Sequence, residues 1–215
     1  MHGRLRHDDD VTRDNGVAVF VDRDGTLIEE IGYLDRPERV KLFPWSIDAI
    51  RALNRAGLRV VMTSNQSGVA RGFFTTAVVD EVHRHIADLL RAGGALIDAY
   101  YYCPHHPDGT IPELARVCDC RKPARGLVDR AERELAIDPL RSYCVGDRWL
   151  DVALARTVGA RGVLVRTGYG AREELRPQAG LTADAIVNNL VEAVSWILAE
   201  RHAQSALQSE RQSAI

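Results

Sequence analysis

The chain has 215 residues, with 28 Lys plus Arg against 30 Asp plus Glu and a net charge of -2. Hydrophobic residues make up 46% and charged residues 27%, which excludes wholesale disorder and fits one globular domain. The even charge excludes a general nucleic-acid or membrane binder, so an anionic ligand must be met by local positive charge. The longest uncharged run, 60–70, is polar in its middle and about half a membrane span. The opening MHGRLRHDDD lacks an apolar core, so no secretory signal is read and a cytoplasmic location is expected. Cys103, Cys118 and Cys120 lie within 18 residues, a clustering that favours metal ligation over disulfides.

Residues 1–15 are polar with mixed charge and are expected to be a disordered arm; 201–215 are expected to be a frayed helix end or tail. A single domain is expected over 16–200. Val17–Val21 is an all-apolar strand candidate. Ile47, Ile50, Leu53 and Ala56 recur at helical spacing over Ser46–Ala56, and Gly57 ends that helix. Arg59–Met62 is a second strand. Thr75–Leu90 is a helix with Val78, Val79, Val82, Ile86, Leu89 and Leu90 on one side. Strands at Ala99–Tyr102, Tyr143–Val145, Val163–Val165 and Ala185–Val187 alternate with helices at Leu127–Leu135, Leu150–Val158 and Leu190–Ala199. This rhythm predicts an α/β fold, a parallel sheet covered by helices on both faces. Ligands then bind at the carboxyl ends of strands.

The first strand runs into Asp22-Arg-Asp24-Gly-Thr. Two carboxylates there repel each other and add nothing to the core. Chemistry gives them a purpose, one as nucleophile and one as general acid/base, provided a cation neutralises them. Gly25 permits a sharp turn. A second acidic site, Gly146-Asp147-Arg-Trp-Leu-Asp151, also follows a strand. Helix capping accounts for either aspartate alone, but not for convergence of both acidic sites on one sheet edge. Together they form an oxygen-rich pocket suited to Mg²⁺. Ser64, Asn65, Gln66 and Ser67 put donors at the end of the second strand, and Arg121-Lys122 puts two cations before a helix, a set suited to an anionic phosphoryl group.

The ordered set Asp22-x-Asp24-Gly-Thr, Ser64, Lys122 and Asp147-x-x-x-Asp151 resembles the haloacid dehalogenase (HAD) superfamily of phosphatases over roughly Val17–Val187. The resemblance implies a HAD-like three-layer α/β/α sandwich and a phosphoaspartyl mechanism. It makes Asp22 the nucleophile and Asp24 the proton donor and acceptor. Ser64 and Lys122 then hold the phosphoryl oxygens. Asp22, the backbone carbonyl of Asp24, and Asp147 would ligate Mg²⁺, with Asp151 supporting them one layer out.

Cys103-Pro-His105 and Cys118-Asp-Cys120 offer three thiols and an imidazole, a closed tetrahedral set for a structural Zn²⁺ that would staple the loop 103–120. A set of reduced, buried cysteines is the alternative, opposed by the charged neighbours Asp119 and Arg121. Cys144, inside an apolar strand, is read as an inert core residue. His83 and His85, two apart on one helix, are read as bystanders.

The zinc loop, Asp119-Cys-Arg-Lys-Pro123, Ser64-Asn-Gln-Ser-Gly68 and Gly32-Tyr33 together are similar to the D-glycero-D-manno-heptose-1,7-bisphosphate phosphatases. That resemblance implies release of the C7 phosphate, leaving heptose 1-phosphate for nucleotide-activated heptose and surface-glycan synthesis. It also implies substrate contacts at Glu30, Ile31, Gly32, Tyr33, Ser64, Asn65, Gln66, Ser67, Arg121, Lys122 and Arg148. The chain departs from the family at Glu30-Ile31, where Asp-His is usual, and at Ser64 and Arg148, where Thr and Lys are common. Arg71 is a further candidate donor to a second phosphate. Histidinol-phosphate phosphatases share the zinc loop but carry Asn-Gln-Asp-Gly where this chain has Asn65-Gln66-Ser67-Gly68. A polynucleotide 3′-phosphatase is opposed by the net charge, and a non-catalytic zinc-stapled interaction module by the intact Asp22 and Asp24. About a dozen residues between Leu27 and Phe43 leave no room for a large cap domain. The expected enzyme is a monomer acting on a small phosphorylated sugar, without nucleic-acid or membrane partners.

Overall fold

The apolar runs assemble into one six-stranded sheet in a computed structural model that describes residues 16–213, with side chains in the closing helix described as far as 206. The expected arm at 1–15 lies outside the described residues. The strands are β1 (Ala18–Val21), β2 (Arg59–Asn65), β3 (Ala99–Cys103), β4 (Tyr143–Gly146), β5 (Arg161–Val165) and β6 (Ala185–Val187). Their order is β3-β2-β1-β4-β5-β6 and every pairing is parallel. The chain winds outward from β1 in one direction and from β4 in the other. The crevice between those two strands is therefore where a ligand has room at the carboxyl edge.

Strand side chains alternate between two cores, as a pleated backbone requires. Val19, Val21, Val60, Met62, Val145 and Val163 face one layer, formed by α1 (Ser46–Arg55), α3 (Thr76–Ala92) and α7 (Leu190–Ser213). Ala18, Phe20, Val61 and Cys144 face the other, formed by α4 (Gly126–Leu135) and α5 (Trp149–Val158). Helices on both faces give the expected three layers. Phe20 is 1% exposed, and burying a side chain of its size contributes about 1.5–3 kcal/mol. Helix α1 places Ala49, Ile50 and Leu53 on the sheet, and α3 does the same with Val82, Ile86 and Leu90. Thr75 caps α3 by accepting from the Val78 amide at 3.4 Å.

The elements differ from expectation mainly at their ends. β2 runs three residues past Met62, because Thr63, Ser64 and Asn65 pair with Tyr101, Tyr102 and Cys103 of β3. Two short helices, α2 (Ser67–Ala70) and α6 (Gly170–Glu174), and single 3-10 turns at Pro37–Arg39 and Pro139–Arg141 carry too few residues for a periodic signal. Helix α7 continues past Ala199 to Ser213, into the segment expected to fray. Between β1 and α1 the described chain holds only the 3-10 turn and isolated bridges at Asp24–Ile28 and Ile28–Leu42, so no cap domain is inserted there. No helix among the described residues is long and apolar enough to cross a membrane.

Candidate active site

The carboxyl ends of β1, β2 and β4 converge on a cleft of about 280 Å³. The Asp22 amide donates to the Val145 carbonyl at 2.9 Å, so the β1–β4 ladder carries Asp22 directly to the switch point. Gly25 (φ +80°) turns the chain beneath it, and a Cβ there would collide with the Asp147 carboxylate. Gly146 serves the same end differently. A side chain at this last β4 position would overlap the Asp151 carboxylate, which therefore sits hard against bare strand backbone.

Lys122 is the electrostatic centre. The residue is 3% exposed, and its ammonium donates to Asp22 Oδ1 and Asp151 Oδ1 at 2.6 Å each and to the Thr63 carbonyl at 2.9 Å. Asn65 holds this lysine by its backbone, accepting from the Lys122 amide and donating to its carbonyl, each at 3.0 Å. Burial alone would disfavour the ammonium, but Asp151 and Asp22 outweigh it and hold its pKa above the ordinary range.

One oxygen from each of Asp22, Asp147 and Asp151 lies within 4.8 Å of the others. Burial pushes the Asp22 carboxyl up to about 7, against the pull of Lys122 and with Asp151 and Asp24 adding to the rise. Asp147 goes up to about 9, by burial first and then by the charge of Asp22. Asp147 Oδ2 accepts from the Tyr169 amide at 2.7 Å, whereas Asp147 Oδ1 and Asp151 Oδ2 are buried without a partner. Buried acceptors that lack donors, on carboxylates this close together, fit a small hard cation. Asp151, expected one layer out, stands within ligand reach of the same point.

Asp24 is held differently. Its Oδ2 accepts from Gln66 Nε2 at 2.9 Å and lies 3.5 Å from Ser64 Oγ. The guanidinium of Arg23 reaches both its oxygens, at 2.9–3.1 Å. Sequence reasoning passed over Arg23, because an arginine between two aspartates looks solvated. Here it is 1% exposed. His83, read as a bystander, is also buried, with Nε2 3.4 Å from Arg23 Nη1.

The rim of the cleft includes Glu30, Gly32, Tyr33, Ser67, Arg121 and Arg148. Ile31 turns away and packs against the main core. Tyr33 lies edge-on to Phe73 at 4.6 Å between ring centroids. Arg148 lies 5.1 Å over the Tyr169 ring, and Arg121 donates to the His105 carbonyl at 3.3 Å. Arg71 does not line the cleft; it lies against His106 at 3.4 Å.

Beside the rim, Cys103, His105, Cys118 and Cys120 bring one ligand atom each within 4.8 Å of the others. The sulfur–sulfur distances from Cys118 to Cys103 and to Cys120 are 3.4 Å, and His105 Nδ1 lies 3.3 Å from Cys120 Sγ. Tetrahedral zinc with sulfurs at about 2.3 Å needs edges of about 3.8 Å, so the group fits zinc with small adjustments. Hydrogen bonding from Cys103, against the opposing effect of burial and with help from His105, lowers the Cys120 thiol to about 5, toward the thiolate a metal needs. Cys144 is buried in the second core, 2% exposed, with its pKa raised by burial.

A family model described as HAD-hyrolase-like matches residues 119–193. The D-glycero-beta-D-manno-heptose-1,7-bisphosphate 7-phosphatase of Escherichia coli (strain K12) is 40% identical over 177 residues, 81% of this chain and 90% of that one. The D-glycero-D-manno-heptose-1,7-bisphosphate 7-phosphatase of Thermosynechococcus vestitus is 40% identical over 185 residues, 84% of this chain and 94% of that one. Among solved structures, the D,D-heptose 1,7-bisphosphate phosphatase of B. bronchiseptica, complexed with magnesium and phosphate, matches with a TM-score of 0.75 at 31% identity. That match covers 86% of this chain and 99% of the other.

Proposed function

Because the chain belongs to the D-glycero-D-manno-heptose-1,7-bisphosphate 7-phosphatase family of HAD-like hydrolases, we propose that it removes the C7 phosphate of heptose 1,7-bisphosphate through an aspartyl phosphate. The observation that carries this reading is the buried Asp22–Lys122–Asp151 arrangement at the sheet's switch point, 2.6 Å on each side of the ammonium. A carboxylate beside a fixed cation, in a cleft rimmed by two arginines, supports reading Asp22 as the nucleophile.

Asp22 attacks phosphorus and the bond to the leaving oxygen breaks as Asp24 gives that oxygen a proton. Asp24 then takes a proton from water, which attacks the aspartyl phosphate and releases inorganic phosphate and free Asp22. Lys122 and Ser64 hold the phosphoryl oxygens as charge moves across them. Asp22, Asp147 and the Asp24 carbonyl, with Asp151 in reach, would hold Mg²⁺. Once bound, that ion would supply positive charge against the repulsion between carboxylate and phosphate. Cys103, His105, Cys118 and Cys120 would hold zinc as a closed structural site. Arg121 and Arg148 are suited to the second phosphate, since a guanidinium makes paired contacts to phosphate oxygens.

The test is phosphate release from the two anomers of heptose 1,7-bisphosphate, fructose 1,6-bisphosphate and histidinol phosphate, with phosphorus NMR of the sugar product. Preferred turnover of a heptose bisphosphate with loss of the C7 signal supports the reading. Preference for histidinol phosphate, or loss of the C1 phosphate, refutes it.

A further inference from the structure

Arg23 presents a puzzle of burial. A guanidinium taken out of water costs several kcal/mol unless its donors are satisfied, and Arg23 is among the largest fully buried side chains. It does not line the cleft, so it cannot serve by touching substrate. Its donors go instead to three groups: Asp24 beside it, Gln66 just past β2, and His83 on α3. Nε and Nη2 reach the Asp24 carboxylate at 2.9–3.1 Å, Nη2 also reaches Gln66 Oε1 at 2.9 Å, and Nη1 faces His83 Nε2 at 3.4 Å.

Each partner is itself fixed. The Gln66 amide points its oxygen at Arg23 and its nitrogen at Asp24 Oδ2, 2.9 Å, and Ser64 Oγ, 2.7 Å. His83 projects from α3, stacked near Tyr100 and edge-on to Tyr102 of β3, at 5.8 and 5.5 Å between ring centroids. Arginine has only donors, so His83 must offer Nε2 as a lone pair and carry its proton on Nδ1. Burial, and then the charge of Arg23, hold the imidazole well below its ordinary pKa and keep that lone pair available.

We propose that Arg23 is a positioning residue: braced by His83 and Gln66, it fixes the Asp24 carboxylate in the orientation that exchanges a proton with the leaving oxygen and then with water. The assignment rests on the reading of Asp24 as the proton donor. Without Arg23 the carboxylate keeps its contacts to Gln66 and Ser64 through Oδ2 alone, nothing fixes Oδ1, and proton transfer loses the alignment it requires. Attack by Asp22, which is held by Lys122 and not by Arg23, is untouched.

The two effects separate by leaving group. An alkoxide must be protonated as it departs, whereas p-nitrophenolate leaves without a proton. Single-turnover phosphorylation of Asp22, followed by rapid quench, is measured with heptose 1,7-bisphosphate and with p-nitrophenyl phosphate. Arg23→Lys keeps the charge but loses the fork. It is expected to slow the sugar reaction by about thirtyfold, part of the general-acid contribution of about 10²–10⁴, and the phenyl reaction by less than about threefold. His83→Phe keeps the ring against the tyrosines but removes the brace, and is expected to show the same bias at about fivefold. It carries the test if Arg23→Lys melts below assay temperature. Asp24→Asn is the reference. If it slows both substrates alike, the reading of Asp24 is wrong. If it discriminates but the Arg23 and His83 variants slow both substrates equally, or neither, the positioning role is refuted.

Discussion

Replacing Gly146 by alanine adds one methyl group at the place where the site is tightest. The new Cβ would overlap the Asp151 carboxylate and come within 2.5 Å of Asp151 Cβ. Asp151 lies on α5, whose Val152, Leu154 and Ala155 are all at most 1% exposed, so the helix cannot simply retreat. Overpacking of this kind costs about 1–3 kcal/mol. If Asp151 moves to relieve it, Lys122 loses one of its two 2.6 Å carboxylate contacts, and disrupting a buried pair costs about 3–5 kcal/mol. The two routes bracket a loss of about 3 kcal/mol, or a Tm lower by about 6–12 °C for a domain of this size. Lys122 is also displaced from its place beside Asp22, and misplacement by about 1 Å costs on the order of a hundredfold in kcat. Urea unfolding and phosphate-release kinetics measure both. A double-mutant cycle isolates the cause: with Asp151→Gly the colliding atoms are gone, and Gly146→Ala should then cost less than about 1 kcal/mol. Equal cost in both backgrounds, or a stable and fully active Gly146→Ala protein, refutes the reasoning.

Asp22→Asn should abolish turnover, because an amide does not attack phosphorus, while Asp24→Asn, given p-nitrophenyl phosphate whose leaving group needs no proton, should accumulate aspartyl phosphate detectable by mass spectrometry after acid quench; substantial metal-dependent turnover by Asp22→Asn contradicts the mechanism. Elemental analysis of the purified protein should find about one zinc per chain. Cys118→Ser should lose it and Cys144→Ser should keep it; an active, folded, zinc-free sample contradicts the site. Arg121→Ala should lower kcat/KM for the bisphosphate by about tenfold to a hundredfold, equivalent to about 1.4–2.7 kcal/mol, and matter much less for a small monophosphate. Equal losses on both would place the second phosphate elsewhere.

What could be read from the chain follows from range. β1 was legible because Val17–Val21 is apolar throughout, and a strand buried on both faces has no other pattern. The end of β2 was not, since Thr63 and Ser64 look like loop residues. Their backbones are nonetheless paired with β3, and pairing does not depend on apolar side chains. Helix α7 beyond Ala199 lacks an apolar stripe, and helical hydrogen bonds need none. Asp22, Asp24, Lys122 and Asp147 were legible as motif positions because each follows a strand or precedes a helix in sequence. Arg23 was hidden for the opposite reason. Its burial depends on Gln66 and His83, 43 and 60 residues away, and nothing local to Asp22-Arg-Asp24 announces it. That Ile31 packs against the main core and does not line the cleft depends on how the chain between β1 and α1 folds back, which its neighbours in sequence do not reveal.

The strand order has a consequence for how the molecule is made. β1 ends bonded to β2 on one side and to β4 on the other, yet β4 begins at Tyr143, more than a hundred residues after Ala18. A ribosome delivers β2 and β3 long before β4. At about 5–20 residues per second, β1 waits several seconds with one apolar edge bare. An open edge of that kind invites pairing with another chain. The same delay withholds Asp147 and Asp151, so an emerging chain holds Asp22 and Lys122 before it holds the acids that complete the cleft.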